Sequence, residues 1–393
     1  MLFQIPPYKV DHTFAVSADR HWAHILIGYD VIRETQEGLG VRVGVVDTGI
    51  DVKHPAFRGR IVAQRDFTDR FNRNKVDDFD GHGTHVAGII GASSVDGGRM
   101  SGVAPACDLV IARVFPTGSG ATSKQVSDGI RFCVDEGCQV INLSLSAPTN
   151  NVLIQSACEY AETKGVFVVA AVGNSGHKVD VLFPAALPRV FGVGSCGALE
   201  EPSSFSCGGT EVDIVAPGER ILSTWRNAGY ASLDGTSMAT PFVAGAAALL
   251  IEAMPEISPA QLREIFRATA KDVHKKGTDR RTGVGLLDVR KAILRVGNGF
   301  SAQLQDITEV DALKAFLEHG TAADLAKSGV FELSARVMPL TMELIEFILG
   351  RYGREDGTLK TPFVVRLSPL LKKVWAIVRI IVAIGREIKA HRG

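Results

Sequence analysis

The chain has 393 residues, which exceeds the roughly 250–300 residues that one hydrophobic core usually serves, so its length predicts one large domain and one smaller domain. Its 46% hydrophobic and 22% charged residues are typical of a globular protein. The 43 Lys and Arg residues equal the 43 Asp and Glu residues, and no basic stretch is interleaved with aromatic residues, which disfavours nucleic-acid binding.

The N-terminus and the cysteines indicate a cellular compartment. The first ten residues, M-L-F-Q-I-P-P-Y-K-V, lack the basic region and the sustained apolar core of a secretory signal. No uncharged apolar run approaches the ~20 residues that span a bilayer. None of the six cysteines forms a C-x-x-C pair, so we expect free thiols in a reducing cytoplasm. Cys196 and Cys207 bracket a short loop and are the one pair that we would test for a disulfide.

Strand and helix patterns alternate between Val41 and about Val215. The strand patterns are the apolar runs V-R-V-G-V-V, D-L-V-I-A-R-V, Q-V-I-N-L-S and V-F-V-V-A-A-V. The helical patterns begin at His82, span about 123–136 and about 152–163, and begin again at Ser258 and Pro259. Strands that alternate with helices predict an α/β fold, with a mostly parallel sheet and helices on both faces.

Three glycine-punctuated segments carry the residue types of a nucleophilic triad. They are V-V-D-T-G-I-D around Asp47, D-G-H-G-T-H-V-A-G around His82 and D-G-T-S-M-A-T-P around Ser237. A serine hydroxyl attacks well only when a base takes its proton, and a neutral imidazole does so when a carboxylate fixes its tautomer. We therefore predict Ser237 as the nucleophile, His82 as the general base and then acid, and Asp47 as the orienting carboxylate.

The context of each residue supports these roles. Asp47 ends a strand pattern, which predicts its carboxylate at the C-terminal edge of the sheet, where open parallel sheets place their sites. His82 directly follows Gly81, Ser237 stands two positions after Gly235, and each begins an apolar segment that predicts a buried helix. Pro241 follows Ser237 by four residues, where we expect its missing N–H to cost little because the first helical turn has no partner for it.

These motifs, in this order, resemble those of the subtilisin-like serine proteases, from about Val41 to about Ala292. The resemblance implies a subtilisin-like fold and the hydrolysis of peptide bonds through an acyl-enzyme intermediate. The segment V-F-V-V-A-A-V-G-N-S-G resembles the family's strand and A-G-N turn, which implies that Asn174 donates to the oxyanion with the Ser237 N–H. His85 could suggest an H-x-x-H metal site, but the glutamate of H-E-x-x-H is missing, and the resemblance makes it a structural residue.

The resemblance also implies where a substrate binds. Two segments, Gly118-Ser119-Gly120 and Ser144-Leu145-Ser146, correspond to those that pair with the substrate strand in the family. Ser146 stands where the family usually has glycine, and Leu182 stands near the floor of the S1 pocket, where small residues are common. Because both changes add volume, we expect a narrow S1 pocket that favours medium apolar P1 residues over Phe and Tyr.

We predict that no cofactor is required and that no residue is a metal ligand. Members of the family often bind calcium, but the acidic ligand expected two residues after His54 is Ala56. The loop A-S-S-V-D-G-G-R-M-S offers only Asp96 as a carboxylate. Calcium prefers about six to eight oxygen ligands with several carboxylates, so the sequence supports a calcium site only weakly.

Residues 1–40 form an N-terminal extension that is shorter than the folded prodomain of secreted subtilisins. Its opening F-Q-I-P-P-Y resembles the L-I-P-Y segment of intracellular subtilisins, whose extension lies across the active site until it is cut away. Pro6 and Pro7 stand where that pattern has one proline. Two interpretations stay open: an autoinhibitory strand whose proline resists productive docking, or a disordered or surface-packed terminus.

The catalytic domain is expected over 41–298, and 299–393 do not resemble the family. We predict that these last residues form a small helical accessory domain. Within 367–390, basic residues recur every seven positions opposite an apolar face. Such a helix suits a membrane surface or a partner groove, or it packs on its own domain.

The sequence therefore predicts an intracellular serine endopeptidase that acts on peptide or protein substrates. One alternative is a maturation protease dedicated to one peptide or partner, and another is a catalytically silent interaction scaffold. Broad digestion of casein would distinguish a general endopeptidase from a dedicated maturation protease. Active-site labelling would distinguish both enzymes from a silent scaffold. The oligomeric state does not follow from the sequence.

Overall fold

The computed structural model describes residues 2–296, with gaps at 6–9, 12–21, 33–35, 70, 72 and 94–100. One compact unit ends at Arg295. The predicted accessory domain over 299–393 and its basic helix lie outside the described residues, and so do Pro6, Pro7 and Asp96.

A seven-stranded parallel sheet forms the centre of the fold. Within the described ranges the strands are β1 (Leu2–Phe3), β2 (Val10–Asp11), β3 (Arg42–Asp47), β4 (Ile61–Asp66), β5 (Asp108–Arg113), β6 (Ala121–Thr122), β7 (Val140–Leu143), β8 (Phe167–Ala171), β9 (Phe191–Cys196), β10 (Ile214–Pro217), β11 (Ile221–Trp225) and β12 (Gly229–Leu233). The sheet has the order β10-β9-β8-β7-β3-β5-β4, and every neighbouring pair is parallel. This confirms the predicted α/β fold.

Helices cover both faces of this sheet. They are α1 (Trp22–Leu26), α2 (Tyr29–Ile32), α3 (His82–Gly91), α4 (Ser123–Asp135), α5 (Val152–Thr163), α6 (Thr236–Ala253), α7 (Pro259–Thr269) and a last helix over 289–296. A 3-10 turn, Pro55–Phe57, lies before β4. Helices α4 and α5 pack together over one face, and α3 and α6 pack together over the other. The near-continuous burial of β3, β7 and β8 follows from this double cover.

Local capping explains where two of the helices begin. At the start of α4 the Thr122 side chain accepts from the Gln125 N–H, and the Gln125 side chain accepts from the Thr122 N–H. The Ser258 and Gln261 side chains form the same reciprocal pair at the start of α7, with Pro259 as its first residue. Such a capping box satisfies N–H groups that a helix start otherwise leaves without partners. The predicted helix start at Ser258 is confirmed.

Helix α6 is long and apolar enough to cross a membrane by length and composition, but 89% of it is buried inside the fold. Pro241 is its sixth residue and lies beyond the first turn, so the expectation that its missing N–H costs little there was wrong. The missing donor would have served the Ser237 carbonyl. That carbonyl instead accepts a hydrogen bond of 2.8 Å from the Ser144 hydroxyl.

All six cysteines are free and buried, so the Cys196–Cys207 disulfide that the loop suggested is not formed. Burial raises the pKa of the Cys107 and Cys158 thiols to about 12. Since the thiolate is the reactive form of cysteine, these two side chains behave as small apolar groups of the core.

Candidate active site

A buried contact joins the C-terminal end of β3 to the first residue of α3. Asp47 Oδ1 lies 2.8 Å from His82 Nδ1, and both side chains are buried. The Thr48 N–H donates to the same carboxylate oxygen at 2.7 Å. Gly81, just before His82, has φ of 113°, and an added Cβ would lie 2.5 Å from the Trp225 ring, so the turn into α3 requires glycine.

The pKa values of the pair are set by burial and by mutual attraction. Burial raises the pKa of Asp47, and the contact with His82 and the Thr48 N–H counteract it without reversing it. For His82, burial alone lowers the pKa, but the Asp47 carboxylate, followed by Asp80 and Asp78, raises it above the ordinary value of 6.5. The imidazole is therefore a stronger base than a free histidine.

Ser237 is the second residue of α6 and is buried beside Ser144. The Ser237 hydroxyl donates to the Ser144 carbonyl at 3.3 Å, while the Ser144 hydroxyl donates to the Ser237 carbonyl at 2.8 Å. The Asn142 side chain donates to the Ser144 hydroxyl at 2.9 Å. Because α3 and α6 pack against each other, the helices that begin at His82 and Thr236 belong to one layer of the fold.

Asn174 follows β8, and its side-chain amide is oriented by Thr236. The Thr236 N–H and hydroxyl donate to Asn174 Oδ1 at 3.0 and 2.7 Å. With Oδ1 held this way, Nδ2 lies near Gly235, at 3.1 Å from the position that a Cβ added to this glycine would take. The same Cβ would lie 3.7 Å from the Ser237 nitrogen, so the Asn174 amide and the Ser237 N–H border one small space that glycine keeps open.

The N-terminal strand lies between the two segments that were predicted to pair with substrate. Strand β1 is antiparallel to β6, and Gln4 exchanges two backbone hydrogen bonds of 2.9 Å with Ser146. Gly118 and Gly120 line a cavity of about 390 Å³ beside Gln4. The N-terminal strand thus pairs with β6, directly after these glycines, and with Ser146 on its other side.

Leu182 lies next to the strand that leads to Asn174. Its N–H donates to the Val172 carbonyl at 3.0 Å, and its Cδ1 would lie 2.7 Å from a Cβ at Gly173. The next residue, Phe183, forms an antiparallel bridge with Ala147, which follows Ser146. Leu182 is therefore brought between the segment that begins at Ser144 and the segment that ends at Asn174.

Three polar side chains of this region were not predicted from the sequence: Asp78, Thr236 and Thr48. Thr48 and Thr236 stand inside the quoted motifs, directly next to Asp47 and Ser237. That adjacency was the signal from which their part in the site could have been predicted. Asp78 stands two residues before the second motif, and no local pattern distinguishes it from its neighbour Asp77.

Within the described ranges, no group of three or more His, Cys, Asp or Glu side chains is placed to hold a metal ion. His85 does not point to such a site. Its Nε2 lies 2.9 Å from the Ile221 carbonyl and 3.1 Å from the Ala231 carbonyl, and since both are acceptors, this nitrogen carries the proton. His85 thus holds α3 to the two strands β11 and β12.

Comparison with known proteins agrees with the fold and the motifs. A model of the subtilase family matches residues 38–285, more than half of the chain, and the chain belongs to this family. It is a subtilisin-like serine endopeptidase, a hydrolase that acts on peptide or protein substrates.

Two relatives illustrate the likeness. Thermitase of Thermoactinomyces vulgaris is 39% identical over 242 residues, which cover 62% of this chain and 85% of the relative. The major intracellular serine protease of Bacillus subtilis is 39% identical over 221 residues, which cover 54% of this chain and 69% of the relative.

Burial and the Asp47 carboxylate change the pKa of His82 in opposite directions, and a titration tests this balance. In a Ser237→Ala background, we expect the His82 imidazole to titrate above pH 6.5, and Asp47→Asn to move its pKa below that value, because burial then dominates. NMR of the histidine ring nitrogens measures both pKa values. His54, whose pKa burial lowers and which has no contact with Asp47, is the internal control and keeps its value. Equal pKa values of His82 in both proteins would contradict the assignment.

Proposed function

We propose that this endopeptidase cleaves peptide bonds through Asp47, His82 and Ser237, with Asn174 as an oxyanion donor. The observation that carries the proposal is the buried 2.8 Å contact between Asp47 and His82. A buried histidine beside a buried carboxylate at the end of a central strand is typical of a catalytic pair or of a structural ion pair. Helix α6, which packs against α3, begins at Thr236, just before Ser237, and this favours the catalytic pair.

In the proposed mechanism each of these side chains has one role. With the Nδ1 proton of His82 directed to Asp47, Nε2 of the neutral imidazole takes the proton of the Ser237 hydroxyl as the serine oxygen attacks the scissile carbonyl. The Asn174 amide and the Ser237 N–H then donate to the oxyanion. His82 gives its proton to the leaving amine, and water repeats the sequence on the acyl-enzyme.

The raised pKa of His82 sets the sign of the pH dependence. Only the neutral imidazole can take a proton, so activity is low below the pKa and rises as the pH passes through it. Because that pKa lies above 6.5, the rise falls at a higher pH than for an ordinary histidine.

A fluorophosphonate probe tests the nucleophile. We expect the probe to label the protein and the Ser156→Ala control, whose serine is exposed on α5, but not the Ser237→Ala variant. Asp47→Asn should lower kcat by about 10⁴-fold, because the imidazole loses its orienting acceptor. Intact mass spectrometry follows the labelling. Equal labelling of the Ser237→Ala variant would exclude this serine as the nucleophile.

We also propose that residues 1–40 are an inhibitory extension of a catalytic domain over 41–298, and that the chain is a zymogen. Three contacts support this. Gln4 pairs with Ser146, β1 pairs with β6, and β2 pairs with Ser232 and Leu233 of β12, shortly before Ser237. A segment that pairs on both sides of the site competes with a substrate strand for the same backbone groups.

Two neighbouring side chains of β1 provide a matched test. Phe3 is fully buried, whereas Leu2 is 50% exposed. We expect Phe3→Ala to raise the initial labelling rate of protein with an intact N-terminus by about tenfold or more, since the docked strand loses a buried aromatic ring. Leu2→Ala should change the rate much less. If Phe3→Ala is labelled as slowly as the unchanged protein, the strand does not limit access to Ser237.

Leu182 is proposed to limit the size of the P1 side chain. Its position between the Ser144 segment and Gly173 supports this role. We expect kcat/KM to be higher for a Leu peptide than for the matched Phe peptide, and Leu182→Gly to change that ratio by about 10–200-fold toward Phe. Leu199→Ala, at an 88% exposed leucine, is the control and leaves the ratio unchanged. A higher kcat/KM for the Phe peptide in the unchanged protein would contradict this role of Leu182.

We also propose that the protein is cytoplasmic and that it requires no cofactor. The six free, buried cysteines and the likeness to a relative named as an intracellular protease support this location. Asp47, His82, Ser237 and Asn174 supply a base, a nucleophile and oxyanion donors from the chain itself. The accessory domain over 299–393 stays a prediction.

A further inference from the structure

Asp78 is a buried carboxylate in the loop that leads into α3. Its residue is 8% exposed, and it stands four positions before His82. A carboxylate removed from water is costly unless donors surround it. The structure supplies five such donors, and they come from the two segments that carry Asp47 and His82.

The two oxygens of Asp78 divide these donors between them. Oδ1 accepts from the Thr48 hydroxyl at 2.9 Å and from the N–H groups of Gly81 and Asp80 at 2.8 and 3.1 Å. Oδ2 accepts from the N–H and the hydroxyl of Thr84 at 2.8 and 2.6 Å. Thr48 directly follows Asp47, and Thr84 lies two residues after His82.

Each threonine hydroxyl that donates to Asp78 also accepts a backbone hydrogen bond. The Thr48 hydroxyl accepts from the Gly83 N–H at 2.8 Å, next to His82. The Thr84 hydroxyl accepts from the Asp51 N–H at 2.9 Å, in the segment that follows β3. The end of β3 and the start of α3 are thereby tied together in both directions through one carboxylate.

The start of α3 needs this carboxylate. The residue at its N-cap, Gly81, has no side chain to bind the N–H groups of the first turn. Asp78 binds the Gly81 and Thr84 N–H groups in its place, and a negative charge at a helix N-terminus is favourable. Glycine is required at this position by the Trp225 ring, so the cap has to come from elsewhere in the loop.

We infer that Asp78 is a positioning residue, which holds Asp47 and His82 at the distance their contact requires. This inference rests on the catalytic roles proposed for those two residues. Asp78 touches neither the substrate nor the reacting atoms, and it acts through Thr48 and through the first turn of α3. Its charge, together with those of Asp47 and Asp80, also favours the protonated form of His82.

The first test compares Asp78→Asn with Asp279→Asn. Asp279 is a matched control, because it likewise accepts from the N–H and the hydroxyl of a threonine, Thr282, in a turn after α7. In the full chain, we expect Asp78→Asn to lower kcat by about 10²-fold with little change in KM, since a misplacement of 1 Å can cost that much. Asp279→Asn should keep its kcat.

The pH profile separates positioning from general stability. Removing a negative charge lowers the pKa of His82, so we expect the acid limb of kcat/KM in Asp78→Asn to move to lower pH. A loss of stability alone would leave that limb in place. Melting temperatures are measured in the Ser237→Ala background, and an equal fall of kcat in both Asn variants at equal melting temperatures would overturn the inference.

The threonine pair Thr48→Val and Thr48→Ser keeps the inference testable if Asp78→Asn does not fold. Valine keeps the shape but removes the hydroxyl, so we expect kcat to fall by about tenfold, whereas serine restores it. An unchanged kcat in Thr48→Val overturns this inference alone. Activity in Ser237→Ala overturns the proposed function, and this inference with it.

Discussion

Asp47 and His82 form a buried contact, and the rest of the site depends on the constraint that this contact imposes. Two ionisable side chains removed from water stay in place only if they face each other and the surrounding polar groups are satisfied. One comes from the end of a central strand and the other from the start of a helix that packs on the sheet. The parallel sheet provides a rigid edge for the first, and the carboxylate network around Asp78 fixes the second.

Helix α6 meets a similar constraint in another way. A proline in its second turn leaves the Ser237 carbonyl without a helical donor, and the Ser144 hydroxyl takes that position. The Ser144 hydrogen bond connects Ser237, the candidate nucleophile, to the segment that we propose pairs with a substrate strand. The hydrogen bond that the helix loses at Pro241 is therefore replaced by one that connects two parts of the candidate site.

The groove proposed for the substrate is an open position between β6 and the segment that contains Ser146, and exposed strand edges of this kind pair readily with another strand. In this chain the N-terminal strand occupies it, with Phe3 packed into the core beneath. The backbone groups of Ser146, which we propose to pair with a peptide substrate, hold the chain's own terminus in this structure, so on that proposal access to the site depends on the placement of the terminus.

The sequence by itself determined what local physics controls. The burial pattern of the strands, the capping boxes at Thr122 and Ser258, and the glycine before His82 depend on residues a few positions apart. Of these signals, the strand patterns predicted the parallel α/β fold, and Ser258 with Pro259 predicted the start of α7; the three motifs predicted the residues of the candidate site. The prediction for Pro241 failed because a residue four positions after Ser237 already lies beyond the first helical turn, so its N–H would have bonded the Ser237 carbonyl.

Only the tertiary structure decided how polar groups distant in sequence satisfy one another. Ser144 and Ser237 are 93 positions apart, and Thr236 and Asn174 are 62 apart. The carboxylate of Asp78 and the pairing of Gln4 with Ser146 belong to the same class. Hydrogen bonds of this kind leave no periodic trace in a sequence, because the partner is chosen by packing and burial once the sheet and its helices are assembled.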